Sequence, residues 1–415
     1  MHTDPIPTPA APNRLTRFRG LMRQLSLAAD TTRALDETLY VSFPGAAGAK
    51  IAGRLELRPS STHLLVGGVG SGKTTELLEI RRLLASSDDT KAFYLDATRQ
   101  HDISKLVPGA VAVQVALEIV TFLRALARAR GAQITAQQER ALSEVERLAK
   151  GYWFDPDDYD ERDDNHPLFY RDGILVAPEQ VTGRVEEVRD ALLGALGLAG
   201  LEGVSYVALV DGLDRLNDIS AFKQVVDEDI KALTSAGVGV VLAGPLRCLY
   251  RADRVISEEF EYFTFQPWRD PGADAVTAAL LRDLICRRLP ADALDSSAAE
   301  KLVRFSGGVL RDLIALAQLA CEEAYLGGAN TVAIAHVDTA IDAFGRKHVL
   351  GLQDDEIQIL ERVRVSGSFV HTSDKELTLL MTRRVLEYAE GAARRYVVHP
   401  TIEHLLRQLN PEASP

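Results

Sequence analysis

The sequence predicts an α/β protein: a mostly parallel sheet covered by helices on both faces, then a strand-free run of helices, then a small region of helices around one hairpin. Three observations carry this. From about Tyr40 to Trp268, short apolar runs alternate with helical patterns. Two of those runs lead into polar turns of a special kind, HLLVG into GGVGSGKT and YVALV into Asp211. After Trp268 the strand pattern stops and apolar residues recur at three and four.

Composition supports a folded chain. Of 415 residues 46% are apolar and 26% charged, values that exclude collagen, coiled-coil and disordered classes and imply about two to three domains. The net charge of −12 excludes attraction of a polyanion by the molecule as a whole, so any nucleic-acid contact needs a local basic patch. Cys248, Cys286 and Cys321 lie far apart with no metal-ligand spacing, which predicts reduced thiols and a cytoplasmic setting. The longest apolar stretches, such as 110–117 and 206–210, fall short of the run of about 18 that spans a bilayer. No membrane span, and from the N-terminal composition no secretory signal, is expected.

Taken in order, residues 1–13 are rich in Pro and Ala. Leu15, Phe18, Met22 and Leu25 then predict an amphipathic helix with a basic outer face, docked on the next domain. Strands are expected at HLLVG (63–67), AFYLDA (92–97), VSYVALVD (204–211), VGVVLAG (238–244) and FEYFTFQ (260–266). Helices are expected at 110–130, 136–150 and 181–198. The acidic run DPDDYDERDDNH (155–166) lacks the glycine and closing glutamate of a calcium loop, so it reads as a solvated loop. Beyond Trp268 helical patterns cover 273–288, 297–305, 309–325, 332–347 and 353–364. A further helix at 373–382, a hairpin around Glu390 and Gly391, and a closing helix at 401–408 complete the chain.

The chemistry concentrates in a few positions. Gly67, Gly68, Val69, Gly70, Ser71, Gly72, Lys73 and Thr74, with Thr75 following, fit the pattern GxxxxGK[ST] between a strand and a helix. The glycines let backbone N–H groups turn onto phosphate oxygens, Lys73 brings a point charge to the β and γ phosphates, and the Thr74 hydroxyl ligates magnesium. Asp211, at the end of a buried strand, faces the same loop and holds that magnesium through water. Where many hydrolytic ATPases place a glutamate to activate water, this chain has Gly212. Asp214 is the nearest substitute, with a helix N-cap or an ion pair to Arg215 as its other reading. No guanine-reading NKxD segment is present, which favours adenine. FSGGVLRDL (305–313) faintly resembles the signature loop of transport ATPases, but it follows the aspartate and lacks the glutamine. Read as the head of a helix, it places Arg311 to reach a terminal phosphate, or else to pair with Asp312 or another acid of its own region. Arg247, Arg251 and Arg254 follow the fourth strand, where a γ-phosphate sensor would sit.

In this order the elements resemble the AAA+ and STAND ATPases of the P-loop superfamily, in the initiator-like branch where an ATPase core and helical lid precede a winged-helix domain. The likeness covers about residues 40–405. Gly67 to Thr74 matches the family's phosphate loop, Asp211 to Asp214 its hhhhDGxD metal motif, and Gly308 to Arg311 its lid GxxR. The resemblance implies a three-layer fold with sheet order 5-1-4-3-2, ATP with Mg2+, and nucleotide-driven movement of lid against core. It divides the chain into an N-terminal tail and helix (1–39), a P-loop core (40–268), an all-α lid (269–348) and a winged-helix-like domain (349–415). The chain departs from many relatives in reading AGPLR after the fourth strand and in lacking the glutamate, which implies slow turnover. The expected function is a slow ATPase switch whose nucleotide state controls a protein partner or self-assembly. The alternative is an initiator or loader that binds duplex DNA; a third reading is a scaffold that binds ATP and scarcely hydrolyses it. Residues 351–415 hold eight basic and ten acidic residues, so a DNA-binding face there rests on Arg383, Arg384, Arg394 and Arg395 around the hairpin.

Overall fold

A computed structural model describes residues 13–26, 39–100, 106–131, 133–150, 183–197, 203–216, 219–250, 254–370, 373–390 and 393–409. The acidic run 155–166, Arg251 and Gly391 lie outside the described residues. Contacts group the chain into two units, one of residues 45–67 and 72–266, the other of 1–44, 68–71 and 267–415.

The first unit is built on five strands: β1 (Thr62–Gly67), β2 (Thr90–Asp96), β3 (Ser205–Asp211), β4 (Gly239–Gly244) and β5 (Tyr262–Gln266). All neighbours pair in parallel, in the order β2-β3-β4-β1-β5, which is the expected 5-1-4-3-2. The three central strands are buried almost throughout and the two edge strands only partly. That is why HLLVG and VALVD read as unbroken apolar runs instead of alternating ones. On one face, Ala47, Ile51 and Leu55 of the helix Ala47–Leu57 meet Leu77, Ile80 and Leu84 of the helix Lys73–Leu84 over Leu65, Leu209 and Val241.

The helix Ala110–Arg130 corrects one expectation. By length and composition it is apolar enough to cross a membrane, with a window of mean hydropathy 1.8. The stretch read as 110–117 in fact continues apolar on one side through Ile119, Val120, Leu123 and Ala127. Those side chains are buried in the protein, as in the core helix of a globular domain. Its first turn is held by Asp229, fully buried, which accepts N–H bonds from Gly109 and Ala112 at 2.8 Å each. Asp229 sits in a π-helical segment, Val226–Ile230.

The second unit packs the helices Arg14–Ser26, Ala275–Cys286, Ser296–Phe305, Leu310–Leu326 and Ile334–Val349 around one apolar core. In the N-terminal helix Phe18, Leu21 and Leu25 face inward while Leu15 is exposed. Part of its basic face serves docking. Arg14 donates to the Ala329 carbonyl at 3.1 Å and lies over the Tyr325 ring, and Arg17 pairs with Asp292 at 2.9 Å. The same unit then runs through the helices Asp354–Ser366 and Asp374–Met381, the antiparallel hairpin β6 (Val385–Glu390) and β7 (Ala393–Val398), and the helix Pro400–Leu409.

Candidate nucleotide-binding site

In the strand-bearing unit, β1 ends at Gly67 and the next helix begins at Lys73. Gly72 before it is left-handed (φ 99°), and no side chain caps the helix. Its first-turn N–H groups and the positive end of its dipole are therefore directed at whatever anion the loop receives. Lys73 is buried, donating to the Gly67 carbonyl at 2.8 Å and pairing with Asp214 at 2.8 Å. Asp214 thus meets neither of its sequence-level alternatives, N-cap or partner of Arg215. Glu76, also buried, accepts the Gly48 N–H at 2.6 Å and ties this helix to the one at Ala47–Leu57.

Asp211 lies at the end of β3, only 5% exposed. Its carboxylate accepts the Tyr94 hydroxyl at 2.9 Å, its neighbour's Gly212 N–H at 2.8 Å, and the Thr74 hydroxyl. Burial raises its carboxyl above the ordinary carboxylate range, the nearby Asp214 charge adds to this, and the bonds from Thr74 and Tyr94 oppose it. Thr74 and Asp211, far apart in sequence, are brought together as the hydroxyl and carboxylate that a hard dication takes, and a dication is what would relieve a buried carboxylate so placed. The two fit Mg2+.

The absence of a glutamate after Asp211 has a steric cause. Gly212 is left-handed (φ 89°), and a Cβ there would stand 2.6 Å from Thr98 Cγ2 and 3.0 Å from Asp96 Oδ1. Asp96 ends β2 in register with Asp211, and its Oδ1 accepts the Thr98 N–H at 3.0 Å and the Thr98 hydroxyl at 2.6 Å. Neither Tyr94 nor Asp96 was singled out from sequence. The available signal was that FYLD, like ALVD, is an apolar run ending in an acid.

Residues 68–71 group with the helical unit. The Trp268 ring lies so close to Gly68 that a Cβ there would overlap it at 1.9 Å, and the Trp268 indole N–H donates to the Val69 carbonyl at 3.2 Å. Leu310 N–H donates to the Gly70 carbonyl at 3.1 Å. A Cβ on Gly70 would stand 2.8 Å from Val309 and 3.0 Å from Arg311 Cβ. Within this unit, then, the loop tip and the head of the Arg311 helix are in direct contact. Ser71 is buried beside them, and Val69 is half-buried.

Asp312, named in the alternative reading of Arg311, is bound by other residues. Arg383 donates to both its oxygens at 2.9 and 3.0 Å, and His399 stands 3.5 Å away. Burial alone would raise the Asp312 carboxyl, but the His399 bond and the Arg383 charge outweigh it and hold it at about 2. The other hairpin arginines are engaged as well. Arg384 donates to the His348 and Leu350 carbonyls, Arg394 pairs with buried Glu387 at 2.9 Å, and Arg395 pairs with Asp270. Each of the four finds a partner within its own unit, while Arg394 and Arg395 keep more than a third of their side-chain surface exposed. Of the arginines after β4, Arg247 is half-buried in a turn at Leu246–Leu249, whereas Arg254 is exposed and pairs with Glu258 at 2.6 Å.

Parallel order 5-1-4-3-2, a glycine loop opening a helix after β1, and an acid ending β3 occur together here. This is the P-loop NTPase fold. Neither a protein-family model nor a curated protein sequence matches the chain. Among solved structures it is similar to the Aeropyrum pernix ORC1 protein in complex with DNA, at 16% identity and TM-score 0.45 over 89% of this chain and 94% of that one. It is also similar to the Aeropyrum pernix ORC2 protein in ADPNP and ADP complexes, at 13% identity and TM-score 0.41 over 88% and 93%. The Thermotoga maritima RuvB Holliday junction branch migration motor is similar at 12% identity and TM-score 0.40 over 88% and 95%. The P-loop assignment rests on the sheet order and the loop.

Proposed function

We propose that the chain is an AAA+-like ATPase switch that binds ATP with Mg2+, hydrolyses it slowly, and changes its affinity for a protein partner or for copies of itself with nucleotide state. The observation that carries the reading is the convergence of Lys73, Thr74 and Asp211 at an uncapped helix N-terminus. Lys73 and the backbone of residues 67–75 hold the phosphates, and Thr74 and Asp211 hold the magnesium. Bound Mg2+ supplies charge neutralisation at the β and γ oxygens. Asp214 acts through Lys73, its ion-pair partner. Arg311, whose helix abuts Gly70, is the residue that registers the γ-phosphate, with Arg247 as a second candidate after β4. A switch of this kind needs only a difference in ATP affinity between two conformations.

The second reading, a DNA-binding initiator or loader, is favoured by the helix, helix, hairpin, helix order of 354–409, the order of a winged helix. Arg394 and Arg395, exposed by more than a third, are the hairpin cations best placed to meet phosphate, in competition with their acidic partners. Fluorescence anisotropy of labelled duplex DNA against the full chain, with ATP, ADP and no nucleotide, separates the two. The switch reading expects no salt-steep binding in any state. ATP-dependent binding whose affinity falls steeply with salt supports the loader instead.

A further inference from the structure

We propose that Asp96, at the end of β2, is the carboxylate that takes the proton of the attacking water, in place of the glutamate that the backbone at Gly212 excludes. The inference rests on the ATPase reading above and deepens it.

Three observations point to this residue. First, Asp96 and Asp211 are register partners on adjacent parallel strands, so both carboxylates emerge at the C-terminal edge of the sheet, where ligands of such sheets bind. Second, the ideal Cβ of position 212 points to within 3.0 Å of Asp96 Oδ1. The residue after the magnesium aspartate would send its side chain toward the place that the Asp96 carboxylate already occupies. Third, Asp96 is held by its neighbour: both the N–H and the hydroxyl of Thr98 donate to Oδ1, which fixes the carboxylate's orientation. Asp214, the other acid nearby, has the Lys73 ammonium 2.8 Å from its Oδ2 and is committed to that residue.

In the step proposed, the water oxygen forms a bond to the γ-phosphorus while its proton passes to the Asp96 carboxylate. The bond between the γ-phosphorus and the bridging oxygen breaks, and ADP leaves with that electron pair. The proton on Asp96 then passes to solvent. Products are ADP and inorganic phosphate, and no other reactant is needed.

The experiment is single-turnover phosphate release by the full chain with ATP and Mg2+ across pH, paired with ATP binding by titration. Wild type, Asp96→Asn, Asp96→Glu and Thr98→Val are compared. Asp96→Asn is expected to bind ATP within about threefold of wild type and to release phosphate slower by about 10² to 10⁴, the usual contribution of a general base. Its residual rate should lose the acidic limb of the pH profile, which a merely structural role would leave in place. Asp96→Glu should recover part of the rate, and Thr98→Val, which removes the hydroxyl bond but keeps the carboxylate, should lose only a few-fold. Phosphate release by Asp96→Asn at the wild-type rate, or a loss in Thr98→Val as large as in Asp96→Asn, would overturn the assignment. So would a wild-type chain that binds ATP and never releases phosphate. A wild-type chain that binds no ATP at all would instead overturn the ATPase reading beneath it.

Discussion

Lys73 and Asp214 form an ion pair of 2.8 Å whose side chains are 4% and 15% exposed. The lysine that would meet the nucleotide's phosphates is therefore already neutralised by an acid three residues beyond Asp211. A phosphate entering the loop competes with that carboxylate for the lysine's charge, so the pair opposes ATP binding as well as holding the lysine in position.

Replacing Asp214 with Asn keeps the shape and removes the competing charge. ATP affinity of Asp214→Asn should rise by about three- to tenfold, corresponding to the roughly 1 kcal/mol scale of a partly screened pair. Phosphate release should fall by less than tenfold. Titration of ATP into both proteins measures the first effect. Unchanged affinity together with a loss of phosphate release by about 10² or more would return the water-activating role to Asp214.

Gly212 should resist substitution. Gly212→Ala forces a side chain into a left-handed backbone and against Thr98 and Asp96, costing about 1–3 kcal/mol. Gly212→Glu, although it places there the residue many hydrolytic ATPases use, should lower stability similarly and not speed turnover. Thermal unfolding and phosphate release in parallel test this, and a faster, equally stable Gly212→Glu would show that the steric account is wrong.

Much of this site was legible in the sequence and part of it was not, for a physical reason. The loop from Gly67 to Thr74 and the terminal Asp211 announce themselves because each is a local pattern, a glycine run before a helix and an acid closing a buried strand. The pairing of Asp96 with Asp211 depends on the register of strands separated by more than a hundred residues, which no local pattern encodes. The hairpin arginines show the same limit. Sequence displays four cations in a short span, but the partners of two of them lie far away, Asp312 for Arg383 and Asp270 for Arg395. The helix at Ala110–Arg130 was placed correctly from its periodicity. Its overall apolarity was underestimated because Glu118 ends the run at Leu117.

Stability should depend on pH through Asp229. Complete burial pushes its carboxyl up to about 7, against the bonds from Gly109, Ala112 and Val111 that favour the charged form. Unfolded, the group titrates near 3.8. The folded state therefore holds the proton more tightly, and the stability this contributes is full below about pH 4 and lost as pH rises through about 7. Asp229→Asn should flatten the dependence of the unfolding midpoint on pH between about 4 and 7. An equally steep dependence in the variant would assign it to other groups.

The Asp312–Arg383 pair should be costly to break from one side. Arg383 is the non-glycine residue found with positive φ (61°) among the described residues, and it spends that conformation on a two-bond contact with an acid that is 1% exposed. Arg383→Ala leaves Asp312 buried without its main cation and should destabilise the protein by about 3–5 kcal/mol. The double variant Asp312→Ala with Arg383→Ala should lose less than the sum of the single changes. Denaturant unfolding of the four proteins gives the coupling, and strict additivity would show that the pair is not a unit.

The central claim is that Lys73 and its loop bind a nucleotide's phosphates, and calorimetric titration of ATP in Mg2+ into wild type and Lys73→Ala tests it most directly. The ammonium of Lys73 bonds to the Gly67 carbonyl and Asp214 at the loop, so Lys73→Ala should keep the wild-type fold, checked by circular dichroism, while ATP affinity falls by about 100-fold or more, the scale of a lost charge-assisted contact to phosphate. Equal ATP affinity in the two folded proteins, or no ATP binding by wild type, would contradict the account.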